Sequence, residues 1–163
     1  MSSNFNKNAL LRSAKRINVS YFKEQQEDAI NAIWQWWQSQ SISFTLSGYA
    51  GTGKTFIMRH LVRYLIVEKV CVTAPTHKAL RVLENSSGKK GMTIQSLCGL
   101  RPDVDIEDYN IENPSFKVIG EQKMRGYRLV IIDECSMINP GLFNLLIKTA
   151  IQCRCKLLFL GEM

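Results

Sequence analysis

Apolar residues recur along this chain with two spacings, one typical of strands and the other of helices. Alternating or continuous apolar runs predict four strands: residues 42–46, 69–73, 127–132 and 156–160. Apolar residues at helical spacing predict four longer helices: residues 22–38, 56–67, 77–85 and 140–152. Because strands and helices alternate, and the continuous runs suit buried strands, the pattern predicts an α/β layered fold with a mainly parallel sheet.

The segment that follows the first strand carries a glycine-rich motif. It reads Gly-Tyr-Ala-Gly-Thr-Gly-Lys-Thr, which fits the G-x-x-x-x-G-K-[ST] phosphate-binding loop in its strand, loop and helix context. Its glycines leave backbone N–H groups free to converge on phosphate oxygens. The candidate nucleotide-binding residues of this loop are Gly48, Ala50, Gly51, Thr52, Gly53, Lys54 and Thr55.

Two loop residues and an acidic pair supply the remaining chemistry. Lys54 can bridge the outer phosphates, and Thr55 can place a hydroxyl on Mg²⁺. Asp133 and Glu134 end a buried Val-Ile-Ile strand, where ligands of parallel sheets bind. Asp133 can hold the Mg²⁺ water shell, and Glu134 can orient or deprotonate the attacking water. The motifs therefore predict ATP hydrolysis with Mg²⁺, with Lys54 and Glu134 catalytic and Thr55 and Asp133 at the metal.

Length and charge narrow the class of protein. With 163 residues and 45% hydrophobic content, the chain is long enough for one domain with a real core. No apolar run approaches the roughly 18 residues of a spanning helix, and no secretory signal is expected. These features predict a cytoplasmic protein without a membrane partner. The net charge of +7 favours a polyanionic partner, although nucleotide binding alone would account for a milder excess.

Two clusters of residues allow both a structural and a functional interpretation. The five cysteines form no Cys-x-x-Cys pair, which predicts reduced thiols in a cytosolic protein. Cys153 and Cys155 are interpreted as packing residues near a helix end, with metal or redox use as the alternative. Trp34, Trp36 and Trp37 are not expected to face one core together. An outward tryptophan could stack on a base, but packing against a neighbouring element is favoured.

The predicted domain covers residues 20–163. Two segments, one before this domain and one within it, differ in composition from the rest of the chain. Residues 1–19 form a basic leader without acidic residues, interpreted either as a solvated segment or as an arm that touches nucleic acid. Residues 101–121 are dominated by acidic side chains around an Asn-Pro turn signal. They predict a small hairpin inserted at the surface.

The order of several motifs resembles that of one family. In chain order the motifs are Gln26, the phosphate loop, Ala74-Pro75-Thr76-His77, Thr93-Ile94-Gln95-Ser96-Leu97 and Asp133-Glu134-Cys135-Ser136-Met137. They look like the first motor domain of superfamily 1 helicases, and most like the Dda/RecD-like branch. The resemblance implies a three-layer P-loop NTPase (RecA-like) domain. It also implies an ATP-dependent DNA helicase that moves 5′ to 3′ on single-stranded DNA.

The resemblance assigns roles to residues outside the ATPase chemistry. Gln26 would read the adenine edge. The candidate nucleic-acid-binding residues along the single-strand track are Thr76, His77, Lys78, Thr93 and Ser96. Hydroxyl groups at helix starts, as predicted at Thr76 and Thr93, suit contacts with phosphate oxygens. For His77 an ordinary helix-start residue is the alternative, and for Lys78 a solvated charge.

The family also carries a strand-separating pin between its second and third motifs. Residues 101–121 occupy that place, with Tyr109 and Phe116 as candidate wedge residues at a duplex fork. A hairpin without a role in unwinding is the alternative. The family sheet further places the last strand, 156–160, between the phosphate-loop strand and the Asp-Glu strand.

The chain departs from the family pattern at several points. Gln95 stands where the family usually has His, and Glu162 follows Gly161 where Asp is usual. The γ-phosphate-sensing glutamine, the second motor domain and its arginine are missing from this sequence. Because such an arginine contributes on the order of 10³-fold or more to phosphoryl transfer, we expect weak nucleotide binding and little or no hydrolysis.

Two other functions stay open at this point. The chain could be a P-loop ATPase that serves a purpose other than unwinding, or a nucleic-acid-binding module with an inactive motor. Salt-dependent binding of single-stranded DNA would separate the helicase hypothesis from the first alternative. The sequence leaves the choice between DNA and RNA, and the oligomeric state, undecided.

Overall fold

The computed structural model describes residues 24–49, 51–64, 69–102, 116–118 and 120–162. Within these ranges the strands are β1 (Ser43–Ser47), β2 (Val70–Ala74), β3 (Met92–Thr93), β4 (Leu100–Pro102), β5 (Phe116–Val118), β6 (Leu129–Ile132) and β7 (Lys156–Gly161). The α-helices are α1 (Glu24–Gln38), α2 (Lys54–Tyr64), α3 (His77–Ser87), α4 (Ile94–Cys98) and α5 (Pro140–Cys153). Two 3₁₀ turns cover Lys123–Gly126 and Cys135–Met137. The predicted strands and longer helices are present, with slightly shifted ends.

Five strands form one all-parallel sheet in the order β1-β7-β6-β2-β3. The last strand, β7, pairs with β1 on one side and with β6 on the other, so it lies inside the sheet. Residues 157–160 and all of β6 are buried, which explains why both segments are continuous apolar runs. The predicted position of the last strand, between the phosphate-loop strand and the Asp-Glu strand, is confirmed.

Helices cover both faces of this sheet and enclose two apolar cores. Helices α1, α2 and α3 cover one face, where the buried residues include Ile30, Met58, Leu61, Leu83, Ile131 and Leu158. Helices α4 and α5 cover the other, where they include Ile94, Leu97, Met124, Val130, Leu146 and Leu157. Since successive side chains of a strand point to opposite faces, Leu157 and Leu158 enter different cores. The three-layer α/β architecture is confirmed.

The tryptophans of α1 pack inside the first core. Trp36 is 5% exposed and Trp37 is 8% exposed, and Trp34 packs against the same cluster while partly buried. The expectation that the three could not share one core is wrong. Positions 30, 33, 34 and 37 follow the i, i+3, i+4, i+7 spacing of one helix face, and Trp36 at its border packs on Phe44 with ring centroids 5.7 Å apart. The packing interpretation holds for Trp36 and Trp37.

The predicted insertion begins and ends in a two-stranded antiparallel ladder. Strand β4 pairs with β5 through Leu100 opposite Val118 and Pro102 opposite Phe116. This is the backbone geometry of a hairpin stem. Residues 103–115, which include Tyr109, lie outside the described residues, and so does the basic leader 1–19.

The cysteines are free thiols, and three of them are buried. Cys153 ends α5, and Cys155 is fully buried beneath it, as the packing interpretation expects. Burial raises the pKa of Cys155 to about 12 and that of Cys98 to about 11. In the described part of the chain, no helix has the length and apolar character needed to cross a membrane.

Candidate active site

The phosphate loop joins β1 to α2 in the conformation that its glycines permit. Gly51 and Gly53 have φ values of +79° and +93°, a region that residues with a Cβ rarely adopt. The Gly48 N–H donates to the Gly161 carbonyl at 3.3 Å, which fixes the start of the loop against the end of β7. Helix α2 then begins at Lys54. Ala50 lies outside the described residues.

The side chain of Lys54 forms hydrogen bonds to the backbone of the phosphate loop. Its Nζ donates to the carbonyl oxygens of Gly48 and, at 2.9 Å, of Tyr49. An ammonium group has three donors, so two are engaged by the loop backbone. Contact with a phosphate group can use the third donor or exchange one of these two.

Gln26 approaches the same loop from α1. Its Nε2 donates to the Thr52 carbonyl at 3.2 Å. A Cβ added at Gly53 would lie 2.2 Å from this nitrogen, so the glutamine occupies the space that a side chain at 53 would need. Thr52 in turn donates its hydroxyl to the Tyr49 carbonyl at 2.9 Å. The structure thus gives both residues contacts that shape the loop.

The acidic pair lies immediately beyond the buried strand β6. The Asp133 N–H donates to the Thr73 carbonyl at 3.0 Å, which ties this residue to β2. Asp133 Oδ1 accepts the Glu134 N–H at 3.0 Å. Glu134 has a left-handed backbone with φ of 52°, and it leads into the 3₁₀ turn Cys135–Met137. Glu134 is thereby exposed beside Asp133.

Burial and charge act in opposite directions on Asp133. Loss of hydration raises the pKa of its carboxyl above the ordinary value of 3.8. The Glu134 N–H and the Lys54 ammonium each lower the pKa, with smaller effects. The Lys54 ammonium group therefore stabilises the charged form of Asp133, the carboxylate of the other predicted motif.

One cleft of about 620 Å³ brings the two motifs together. Six of the predicted site residues line this cleft: Gly51, Gly53, Lys54, Thr55, Asp133 and Glu134. Sequence reasoning gave no role to five further lining residues: Val82, Ser136, Met137, Gly161 and Glu162. Ser136 and Met137 come after β6, Gly161 ends β7 and Glu162 follows it, so their position at the ends of sheet strands was an available signal. Gln26, Gly48 and Thr52 contact the loop and are not among the lining residues.

The predicted nucleic-acid residues lie at the starts of α3 and α4. Thr76 caps α3 by accepting the Ala79 N–H at 3.2 Å, and Thr93 caps α4 by accepting the Ser96 N–H at 3.3 Å. Thr76, His77 and Lys78 are exposed. Thr93 is 9% exposed, so its capping bond is made close to the core. Phe116 begins β5, and its side chain is not described.

Fold and cleft together define a P-loop nucleotide-binding domain, and comparisons with known proteins agree with this class. A family model described as AAA domain matches residues 21–163. The ATP-dependent DNA helicase dda of Enterobacteria phage T4 is 32% identical over 142 residues, covering 85% of this chain and 31% of the phage protein. The ATP-dependent DNA helicase Pif1 of Psychrobacter sp. (strain PRwf-1) is 27% identical over 100 residues, covering 61% and 15%.

Structure comparison gives the same result. A crystal structure of Pif1 helicase from Candida albicans matches with a TM-score of 0.59 and 25% identity, over 88% of this chain and 33% of that one. The chain therefore belongs to the AAA domain family and is Dda- and Pif1-like, of superfamily 1 helicase type. It spans about a third or less of the length of these relatives.

Proposed function

We propose that this chain is the ATP-binding first motor domain of an ATP-dependent helicase that acts on single-stranded DNA inside the cell. The observation that carries the proposal is the shared cleft, which is lined by Lys54 and Thr55 on one side and by Asp133 and Glu134 on the other. The domain would extend over residues 20–163, and a second motor domain would complete the enzyme.

The residues of the cleft fit a triphosphate with Mg²⁺. The left-handed glycines Gly51 and Gly53 expose backbone N–H groups without a Cβ in the way, which suits phosphate oxygens. Thr55 and Asp133 offer a hydroxyl and a carboxylate, the hard oxygen ligands that Mg²⁺ prefers. Among the described residues no group of three or more His, Cys, Asp or Glu could hold a metal ion, so phosphate and water oxygens would complete the shell. Bound Mg²⁺ would neutralise charge on the phosphate oxygens.

The side chains of the cleft then take separate roles in ATP hydrolysis. Lys54 would place its charge on the β- and γ-phosphates, and Thr55 with Asp133 would hold the metal. Glu134 would orient the attacking water and accept its proton. Gln26 already donates to the phosphate-loop backbone, and it would read the adenine edge from the start of α1.

The single strand would follow the starts of α3 and α4. Thr76, His77 and Lys78 are exposed there, and Ser96 is half-buried. Thr93 would act through its helix cap and through Ser96. Residues 101–121 would form the pin, with Tyr109 and Phe116 as wedge residues, and residues 1–19 would form a basic leader.

Nucleotide affinity tests the proposal directly. Binding of a fluorescent ATP analogue with Mg²⁺ is measured for the parent chain, for Lys54→Ala and for Lys148→Ala, an exposed lysine of α5. We expect Lys54→Ala to weaken binding about tenfold or more, equivalent to about 1.4 kcal/mol, and Lys148→Ala to bind like the parent. Equal affinity of all three proteins would contradict the assigned site.

Hydrolysis is tested with and without a second motor domain. We expect the 163-residue chain alone to bind nucleotide weakly and to turn over little ATP. In a version with the second motor domain, Glu134→Gln should retain ATP binding and lose DNA-stimulated hydrolysis by on the order of 10²-fold or more. Unchanged hydrolysis in that variant would contradict the catalytic role of Glu134.

A further inference from the structure

The 3₁₀ turn Lys123–Gly126 places a basic side chain beside α4. Lys123 Nζ lies 3.5 Å from Ser96 Oγ, so the ammonium group reaches the short helix across the surface. Lys123 is exposed, and Ser96 is half-buried. Among the described residues no carboxylate forms an ion pair with this lysine. Its charge is therefore open to an anion from solution.

The backbone on either side of Lys123 is fixed against the rest of the domain. Met124 is fully buried in the same core as the apolar side of α4. The Gly120 N–H donates to the Gly99 carbonyl at 3.0 Å, just before the turn begins. Gly99 has φ of +68°, and a Cβ there would lie 2.6 Å from the Gly120 carbonyl oxygen. The glycine permits this close approach, which holds the two segments side by side.

Ser96 and Lys123 form adjoining donors on this surface. The Ser96 N–H is satisfied by Thr93 Oγ1 at 3.3 Å, which leaves the hydroxyl as the group that faces Lys123. Hydrogen bonds from a cation to a phosphate oxygen are about twice as strong as neutral ones. Arg125, exposed on the same turn, adds a second positive charge, while Glu121 is an exposed acid two residues before Lys123.

We propose that Lys123 and Ser96 together contact one phosphodiester group of a single-stranded nucleic acid. The inference rests on the proposed function and extends the path of the strand from α3 and α4 onto the turn Lys123–Gly126. A phosphodiester carries one negative charge and exposed oxygens, which matches one ammonium beside one hydroxyl. Contacts of this kind fix the position of the strand and carry no base sequence information.

The test is the salt dependence of binding to a fluorescent oligo-dT strand, measured with the 163-residue chain. The variants are Lys123→Ala, Lys123→Gln, Lys123→Arg and the control Arg59→Ala. Arg59 is exposed on α2, which packs on the opposite face of the sheet, so the control removes the same charge elsewhere. Circular dichroism of each protein checks the fold.

Loss of one phosphate contact should change the salt dependence of binding by a predictable amount. We expect Lys123→Ala and Lys123→Gln to bind several-fold more weakly at low salt and to reduce the slope of log K against log salt by about 0.7. Lys123→Arg should keep the parent slope, and so should Arg59→Ala. A purely structural role of Lys123 would change affinity without changing this slope.

Two results would overturn the inference in different ways. Parent-like slopes in Lys123→Ala and Lys123→Gln, with a parent chain that binds the strand, would remove this contact and leave the proposed function intact. A parent chain that binds ATP but not the oligonucleotide would overturn both this contact and the DNA part of the proposed function.

Discussion

Two non-glycine residues, Glu134 and Arg154, have left-handed backbones among the residues that the structure describes. This conformation costs an ordinary residue about 1–2 kcal/mol. At Arg154 it ends α5, and the backbone N–H donates to the Ala150 and Ile151 carbonyls. At Glu134 it turns the chain sharply after β6 and places a carboxylate at the cleft. The same left-handed conformation thus ends a helix at Arg154 and positions the candidate catalytic residue at Glu134.

Replacing Arg154 isolates the cost of the conformation, because its exposed side chain lies outside the candidate site. We expect Arg154→Gly to raise the free energy of unfolding by roughly 0.5–1 kcal/mol, since glycine adopts positive φ without a Cβ clash. Arg154→Val should lower it by a similar amount, because a β-branched residue is a poor fit there. Urea unfolding of both variants and the parent measures these changes. A glycine variant no more stable than the valine variant would contradict the expectation.

At the scale of the elements, the Lys156 side chain adds polar contacts between α1 and β7 to those of the shared core. Helix α1 has no basic residue in its last turn. Lys156, at the start of β7, places a basic group at this helix end instead. Its Nζ donates to the carbonyls of Trp36 at 3.1 Å, Ser39 at 2.8 Å and Ser41 at 2.8 Å. Its ammonium group also lies 5.0 Å from the Trp36 ring centroid. The helix that carries Gln26 is therefore held to an interior strand of the sheet.

Lys156→Met should weaken this connection while preserving the aliphatic bulk. We expect a loss of about 1–2 kcal/mol in the free energy of unfolding, because three backbone carbonyls lose a charged donor and water replaces it only in part. Lys148→Met, on the exposed side of α5, should change stability by less than about 0.5 kcal/mol. Urea unfolding compares the two, and equal stabilities would show that the Lys156 contacts contribute nothing.

For the whole molecule, the decisive feature is that the last strand lies inside the sheet. Strand β7 pairs with β1 over residues 43–47 and with β6 over residues 129–132. It also provides Gly161, whose carbonyl accepts the Gly48 N–H at the phosphate loop. The loop and the acidic pair reach one cleft because this strand joins their two strands.

Removing the last strand should therefore unfold the domain. A chain ending at Arg154 would leave β1 and β6 without their shared partner and would expose both cores. We expect it to lose cooperative thermal unfolding by circular dichroism, whereas a chain ending at Glu162 should unfold like the parent. A cooperative transition in the shorter chain would show that the sheet can close without β7.

The sequence alone determined the local parts of this protein. The phosphate loop, the strand that leads to Asp133 and the caps at Thr76 and Thr93 could be predicted because each depends on residues close together in the chain. Their chemistry follows from residue type and spacing. The sheet order came from family resemblance, because a strand's own pattern does not name its neighbours.

Only the tertiary structure decided which of these parts meet. It brought Lys54 and Asp133 to one cleft, added Val82 from α3, and placed Lys123 beside Ser96. It also packed the three tryptophans of α1 against one core. These contacts join residues far apart in the chain, so they depend on the order of the strands and on the face of the sheet that each helix covers.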